Sequence, residues 1–239
     1  MQYSKEELNG QMIDAAKAGD VENLKRLLEH GADVNAKSNT GLTAMMWAIV
    51  NGYLDVAKYL VEQGAKVDAR DKDGWTAMVF AASWGYLDVA KYLAEHGAEV
   101  DVKDKKGRTT MMMATWSGHL DIVQFLVERG VDVNARDNEG WTALMRAADN
   151  GHLGVAKYLV EHGAEIDTRN NGWKTAATIA REKGYKEIAD YLDLFTQQKK
   201  IINSMREDSE RLALKPDIQR ILRTGQEYNA AKHGVSYAV

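Results

Sequence analysis

A step of 33 residues brings six glycines into one register, Gly19, Gly52, Gly85, Gly118, Gly151 and Gly184, and no other step does so. The same step aligns a second glycine column (Gly31, Gly64, Gly97, Gly130, Gly163) and an alanine column (Ala15, Ala48, Ala81, Ala114, Ala147, Ala180). It also aligns a leucine column, Leu27, Leu60, Leu93, Leu126, Leu159 and Leu192. A chain built this way folds as stacked copies of one small unit, each too small to bury its apolar face without its neighbours. The unit is clearest at residues 137–169.

Each column has a physical reason. A glycine after a short apolar run supplies the left-handed residue that ends a helix, and two such stops per unit predict two helices per unit. Small alanines on the first helix let the next copy's backbone approach closely. In the second helix Val155, Tyr158 and Leu159 recur as Val56, Tyr59, Leu60 and as Val89, Tyr92, Leu93, a core-facing stripe at i, i+3, i+4. Between units lie segments rich in Asp, Asn and Gly, which predict a projecting hairpin-like turn, or finger.

The period, with G-x-T-A-L-x-x-A-A-x-x-G-H-L at Gly140–Leu153 and L-V-E-x-G-A-x-x-D at Leu159–Asp167, resembles the ankyrin repeat, in a Thr-Ala-Leu/Met-x variant of prokaryotic type. Where that family has Thr-Pro-Leu-His, this chain has Thr43-Ala44-Met45-Met46, Thr76-Ala77-Met78-Val79, Thr109-Thr110-Met111-Met112 and Thr142-Ala143-Leu144-Met145. The resemblance implies that the missing histidine bonds a neighbouring loop, so an apolar contact is expected in its place.

The expected fold is all-α: a right-handed ankyrin-type solenoid over residues 1–196, with a C-terminal helical tail over 197–239. Its six helix-turn-helix repeats fall at about 4–37, 38–70, 71–103, 104–136, 137–169 and 170–196. The first repeat reads as an end cap, with Asn23 and Arg26 where other copies have Val56 and Tyr59. The sixth turns polar at Lys186 and Asp193, since the ends of a solenoid must be soluble. The tail reads as an amphipathic helix carrying Ile202, Met205 and Leu212, then a second helix starting at Pro216 with Ile218, Ile221 and Leu222 on one face before Gly225.

Of the net charge of −4, the tail holds eight Lys/Arg against five Asp/Glu, or +3, leaving −7 on the repeats. That balance does not point to nucleic acid. Cysteine is absent, which excludes disulfides and thiolate metal sites. Lys5, Glu6 and Glu7 interrupt any signal-like apolar stretch, and no run approaches a spanning length, so no membrane association and a cytoplasmic location are expected.

Candidate chemistry is sparse. His30, His96 and His162 fall where a helix should end, and His119 and His152 follow the turn glycine; both sets read as structural. The acidic clusters at Asp71–Asp73 and Asp101–Asp104 lie in the repeated turn and lack a calcium-binding loop, so they read as turn chemistry. No phosphate loop, nucleophile elbow or metal spacing breaks the repeat. No catalytic residue, metal or cofactor is expected, and the chain does not read as an enzyme.

Recognition is a different matter. The column before the alanines reads Asp14, Trp47, Phe80, Met113, Arg146, Ile179, and it varies in type where core columns do not. The pair before the helix-ending glycine also varies, as Val50-Asn51, Ser83-Trp84, Trp116-Ser117 and Asp149-Asn150. So does the finger position Leu42, Trp75, Arg108, Trp141. All six tryptophans fall at finger or first-helix positions. Trp75, Trp141 and Trp173 suit packing on a neighbouring finger. Trp47, Trp84 and Trp116 stand where other copies are polar or charged, so they are expected to face solvent. The resemblance implies a protein or peptide segment held along the fingers and the concave, first-helix side. Trp47, Phe80, Trp84, Met113 and Trp116 would anchor it, and Arg108 and Arg146 would pair with its acidic groups, with Leu42, Val50, Trp75, Trp141 and Asn150 completing the surface. Two alternatives remain: the basic tail docks in its own or a neighbour's groove, or the aromatic groove serves a small-molecule or enzymatic role.

Overall fold

The structure, a computed structural model, describes residues 3–211. Two helices form in every unit. The first helices are α1 (Lys5–Ala18), α3 (Ala44–Val50), α5 (Ala77–Trp84), α7 (Thr110–Ser117), α9 (Ala143–Asn150) and α11 (Ala176–Lys183). The second helices are α2 (Val21–Glu29), α4 (Leu54–Glu62), α6 (Leu87–Glu95), α8 (Leu120–Glu128), α10 (Leu153–Glu161) and α12 (Lys186–Arg211). No strand occurs among the described residues, though two fingers carry isolated antiparallel bridges, Lys37 with Thr43 and Lys103 with Thr109. None of the described helices is long and apolar enough to cross a membrane.

Local chemistry starts the first helices. The hydroxyls of Thr43, Thr109, Thr142 and Thr175 accept the backbone N–H of Met46, Met112, Met145 and Thr178, satisfying donors that a helix start leaves free. At Thr43 the cap is closed by Met46, whose thioether accepts the Thr43 N–H at 3.5 Å. Met46, Val79, Met112 and Met145, which stand in the column of the missing histidine, are all buried, so an apolar contact does replace it.

The first helices pack in an unbroken row, α1 to α3 and onward to α11. The alanine and leucine columns are at most 3% exposed in every repeat. The tyrosines of the second-helix stripe are only half-buried, and their rings lie against histidines: Tyr92 on His96 at 4.0 Å and Tyr158 on His162 at 3.9 Å. Those histidines, with His30, cap helix ends by donating Nδ1–H to the carbonyl four residues back.

Fingers are joined by a backbone ladder: Lys72, Lys105, Asn138 and Asn171 donate their N–H to Thr40, Asp73, Lys106 and Glu139. A second tie runs lower down. Asn35 accepts the N–H of Lys66 at 2.8 Å and donates to the Gly64 carbonyl, and Asn134 does the same with Glu165 and Gly163. Asp101 occupies this column but leaves Oδ1 buried without a partner. Burial pushes its carboxyl up, with Asp132 adding to the rise and Lys103 opposing it. Asp101→Asn is therefore expected to stabilise the protein at neutral pH by about 1 kcal/mol, by supplying both bonds made at Asn35 and Asn134. Because the folded-state value is raised, the cost of Asp101 is present above that value and vanishes below it. The gain in denaturation midpoint should accordingly shrink as the pH falls through the raised value and should be gone below the ordinary 3.8.

The chain divides into compact units at Leu192/Asp193. Helix α12 runs unbroken through Arg211, so the helix expected at 197–212 is not a separate element as far as Arg211. The reason is local: Thr196 stands 33 residues after Gly163, where the earlier second helices meet their glycine stop. The helix expected from Pro216, and Leu212 with it, lie outside the described residues.

Candidate functional site

The variable first-helix column does not face solvent as a whole. Phe80 and Met113, expected as anchors, are buried, as is Ile179. Phe80 packs against the Trp75 ring at 5.2 Å, and Met113 joins Val79 and Val102 beneath Trp75. Trp47 is half-buried; its Nε1 is shielded without a hydrogen-bond partner, and the Lys17 ammonium lies 4.9 Å over its ring. Leu42 and Val50 are half-buried against the core. Asn150 is half-buried and donates its side-chain amide to the Arg146 carbonyl.

The arginines are engaged within the molecule, which corrects the expectation that they await a partner's acids. Arg108 pairs with Asp104 at 2.6 Å, and both side chains are largely shielded, 18% and 2% exposed. The Asp104 carboxylate also accepts the Trp75 indole N–H at 3.1 Å, and the Arg108 guanidinium lies 5.4 Å over the Trp75 ring. Finger and neighbouring finger are thereby clamped by one carboxylate. Burial pushes that carboxyl up, but hydrogen bonds from Arg108 and Trp75, with the Arg108 charge, hold it below the usual range. Arg146 repeats the theme one unit on, pairing with Asp137 at 2.7 Å and stacking on Trp141 at 4.4 Å. Trp75 thus packs against the neighbouring finger, while Trp141 lies under the Arg146 of its own repeat. The carboxylates of Asp71, Asp104 and Asp137 all accept turn N–H groups, which accounts for an aspartate at this position in three of the fingers.

Trp84 and Trp116 remain on the surface, 53% and 44% exposed. Trp84 is the last residue of α5, and Trp116 stands next to last in the adjoining α7. Their helix ends are held from the following repeats. His119 Nε2–H donates to the Ser83 carbonyl at 3.2 Å, and His152 Nε2–H to the Trp116 carbonyl at 2.8 Å. These histidines position the two indoles, a role the sequence pattern alone does not reveal. Arg146 reaches across to within 5.9 Å of the Trp116 ring, so one cation touches both Trp141 and Trp116.

Trp173 departs from its expected place. It occupies the column of Gly41, Gly74, Gly107 and Gly140, with Lys174 at the finger position, because Gly172 comes one residue early. It therefore takes the left-handed conformation, φ 61°, and is 78% exposed rather than packed on a finger. A shallow depression of about 350 Å³ lined by Gly151, Tyr185 and Lys186 contains none of the expected site residues.

Comparison with known proteins finds the family described as "Ankyrin repeats (3 copies)" in four overlapping matches, residues 12–104, 67–137, 96–170 and 112–201. Among curated proteins, acyl-CoA-binding domain-containing protein 1 of Arabidopsis thaliana is 44% identical over 59 residues, 23% of this chain and 18% of that protein. An ankyrin repeat protein of Rickettsia felis is 36% identical over 55 residues, 23% of this chain and 87% of its own length. The mitochondrial disaggregase of Homo sapiens is 45% identical over 51 residues, covering 20% of this chain and 7% of that protein. The chain thus spans under a fifth of the plant relative.

Proposed function

Since the chain belongs to the ankyrin-repeat family, whose repeats are generally non-enzymatic protein-interaction modules, we propose that it binds a protein segment on the first-helix side, with Trp84 and Trp116 as the anchors. The observation that carries this reading is the exposure of two indoles on adjacent helices of a molecule that buries the other large side chains of α5 and α7. Their backbone is fixed by His119 and His152, so little ordering entropy opposes their use. Trp47, half-buried beneath Lys17, stands on α3, the first helix one repeat earlier, and the Arg146 guanidinium lies 5.9 Å from the Trp116 ring. Peptides selected from a random displayed library on the full chain supply the assay. The double change Trp84→Ala and Trp116→Ala is expected to weaken the selected peptides by at least about a hundredfold and to leave the denaturation midpoint unchanged. Unaltered peptide affinity would refute the assignment.

A further inference from the structure

The charge of the repeats is unevenly placed. The five fingers, residues 37–42, 70–75, 103–108, 136–141 and 169–174, hold ten Lys/Arg against five Asp/Glu, or +5. Residues 1–196 carry −7 in all, so everything outside the fingers carries −12. Half the finger cations are committed elsewhere: Lys37, Arg70 and Arg136 donate to backbone carbonyls of the next finger, and Arg108 pairs with Asp104. Lys174 is likewise paired, with Glu182. Of the other five, Arg169 stands in the last finger. The four lysines, Lys72, Lys103, Lys105 and Lys106, are exposed, and none forms an ion pair among the described residues. Three of them belong to the finger that leads into α7, the helix carrying Trp116, and the fourth to the finger that leads into α5, the helix carrying Trp84.

We infer that the segment bound at Trp84 and Trp116 is an acidic one, with large apolar residues against the indoles and carboxylates against Lys103, Lys105 and Lys106. This rests on the docking reading above and adds the chemistry of the partner. From Thr109 to Trp116 the chain climbs about 10 Å at 1.5 Å per residue, so the carboxylates lie at least about three residues of extended chain from the apolar anchor. The 197–239 tail, at +3, has the same sign as the fingers, so Coulomb attraction does not bring it to this row. The charge of a rim lysine acts through encounter and partner choice more than through buried area, so binding should also weaken with salt.

The test selects peptides of about 16 residues from a random displayed library on the full-length chain, long enough to span anchor and finger. Selected peptides are then measured against the wild type, the Trp84→Ala/Trp116→Ala variant and a Lys103→Glu/Lys105→Glu/Lys106→Glu variant. The lysines are on the surface, so circular dichroism of the charge-reversed chain should match the wild type. Selected peptides are expected to be rich in Asp and Glu beside one or two large apolar residues, and to bind the charge-reversed variant at least about tenfold more weakly. Peptides that need the tryptophans but show no acidic excess, or that ignore the lysine reversal, would overturn the acidic partner and leave the docking surface standing. If no selected peptide depends on the tryptophans, the docking surface itself fails and the inference fails with it.

Discussion

Asp104→Ala is expected to destabilise the protein by about 3 kcal/mol, measured by denaturant unfolding. The carboxylate accepts the N–H groups of Lys106 and Arg108 on one oxygen, and the Trp75 indole and the Arg108 guanidinium on the other. Its removal leaves a shielded guanidinium, an indole N–H and two turn N–H groups without their acceptor. Asp104→Asn keeps one acceptor for the turn and loses the charge, so it should fall between wild type and alanine. The effect has a defined pH window. The folded-state value lies below the ordinary 3.8, so the charged contribution is complete above 3.8 and disappears as the pH falls through the depressed value. The gap between wild type and Asp104→Asn should close in acid, and a gap that widened there would contradict the clamp.

Gly118→Ala is expected to cost about 2 to 3 kcal/mol and to disturb the proposed docking face as well. Gly118 ends α7 at φ 80°, and a methyl group there would lie 2.6 Å from the His152 ring. That ring holds the Trp116 carbonyl, so displacing it loosens the anchor. Gly130 is the control. Its φ is 76°, and a methyl there meets nothing within 4 Å, so Gly130→Ala should cost only the left-handed strain, about 1 kcal/mol. Equal losses at the two sites would mean that the histidine yields freely.

The buried residues of the variable first-helix column are the ones where repetition misleads. Variation among matched positions suggests exposure, and that holds for Trp84 and Trp116 but not for Phe80 or Met113. At an interface between two repeats, a change on one side can be matched on the other. Phe80 varies against Trp75, and Met113 against Val79 and Val102, without either becoming accessible. Arg146 has no equivalent in its column, and its acid, Asp137, belongs to a column that reads only as turn chemistry.

What the chain determined by itself is what short-range chemistry decides. The 33-residue period, the paired helices, the threonine caps and the glycine stops are written within each unit, and so is the run-on of α12 once Thr196 replaces a stop. The buried alanine and leucine columns follow from the same spacing, because every copy meets an identical neighbour there. Only the tertiary structure decided which variable side chains are free. Whether Arg108 faces a partner or Asp104, and whether an indole lies under a finger or in solvent, depends on which atoms of the next repeat come within a few ångströms. Desolvation and pairing energies are fixed by those distances, and the order of residues along the chain does not contain them.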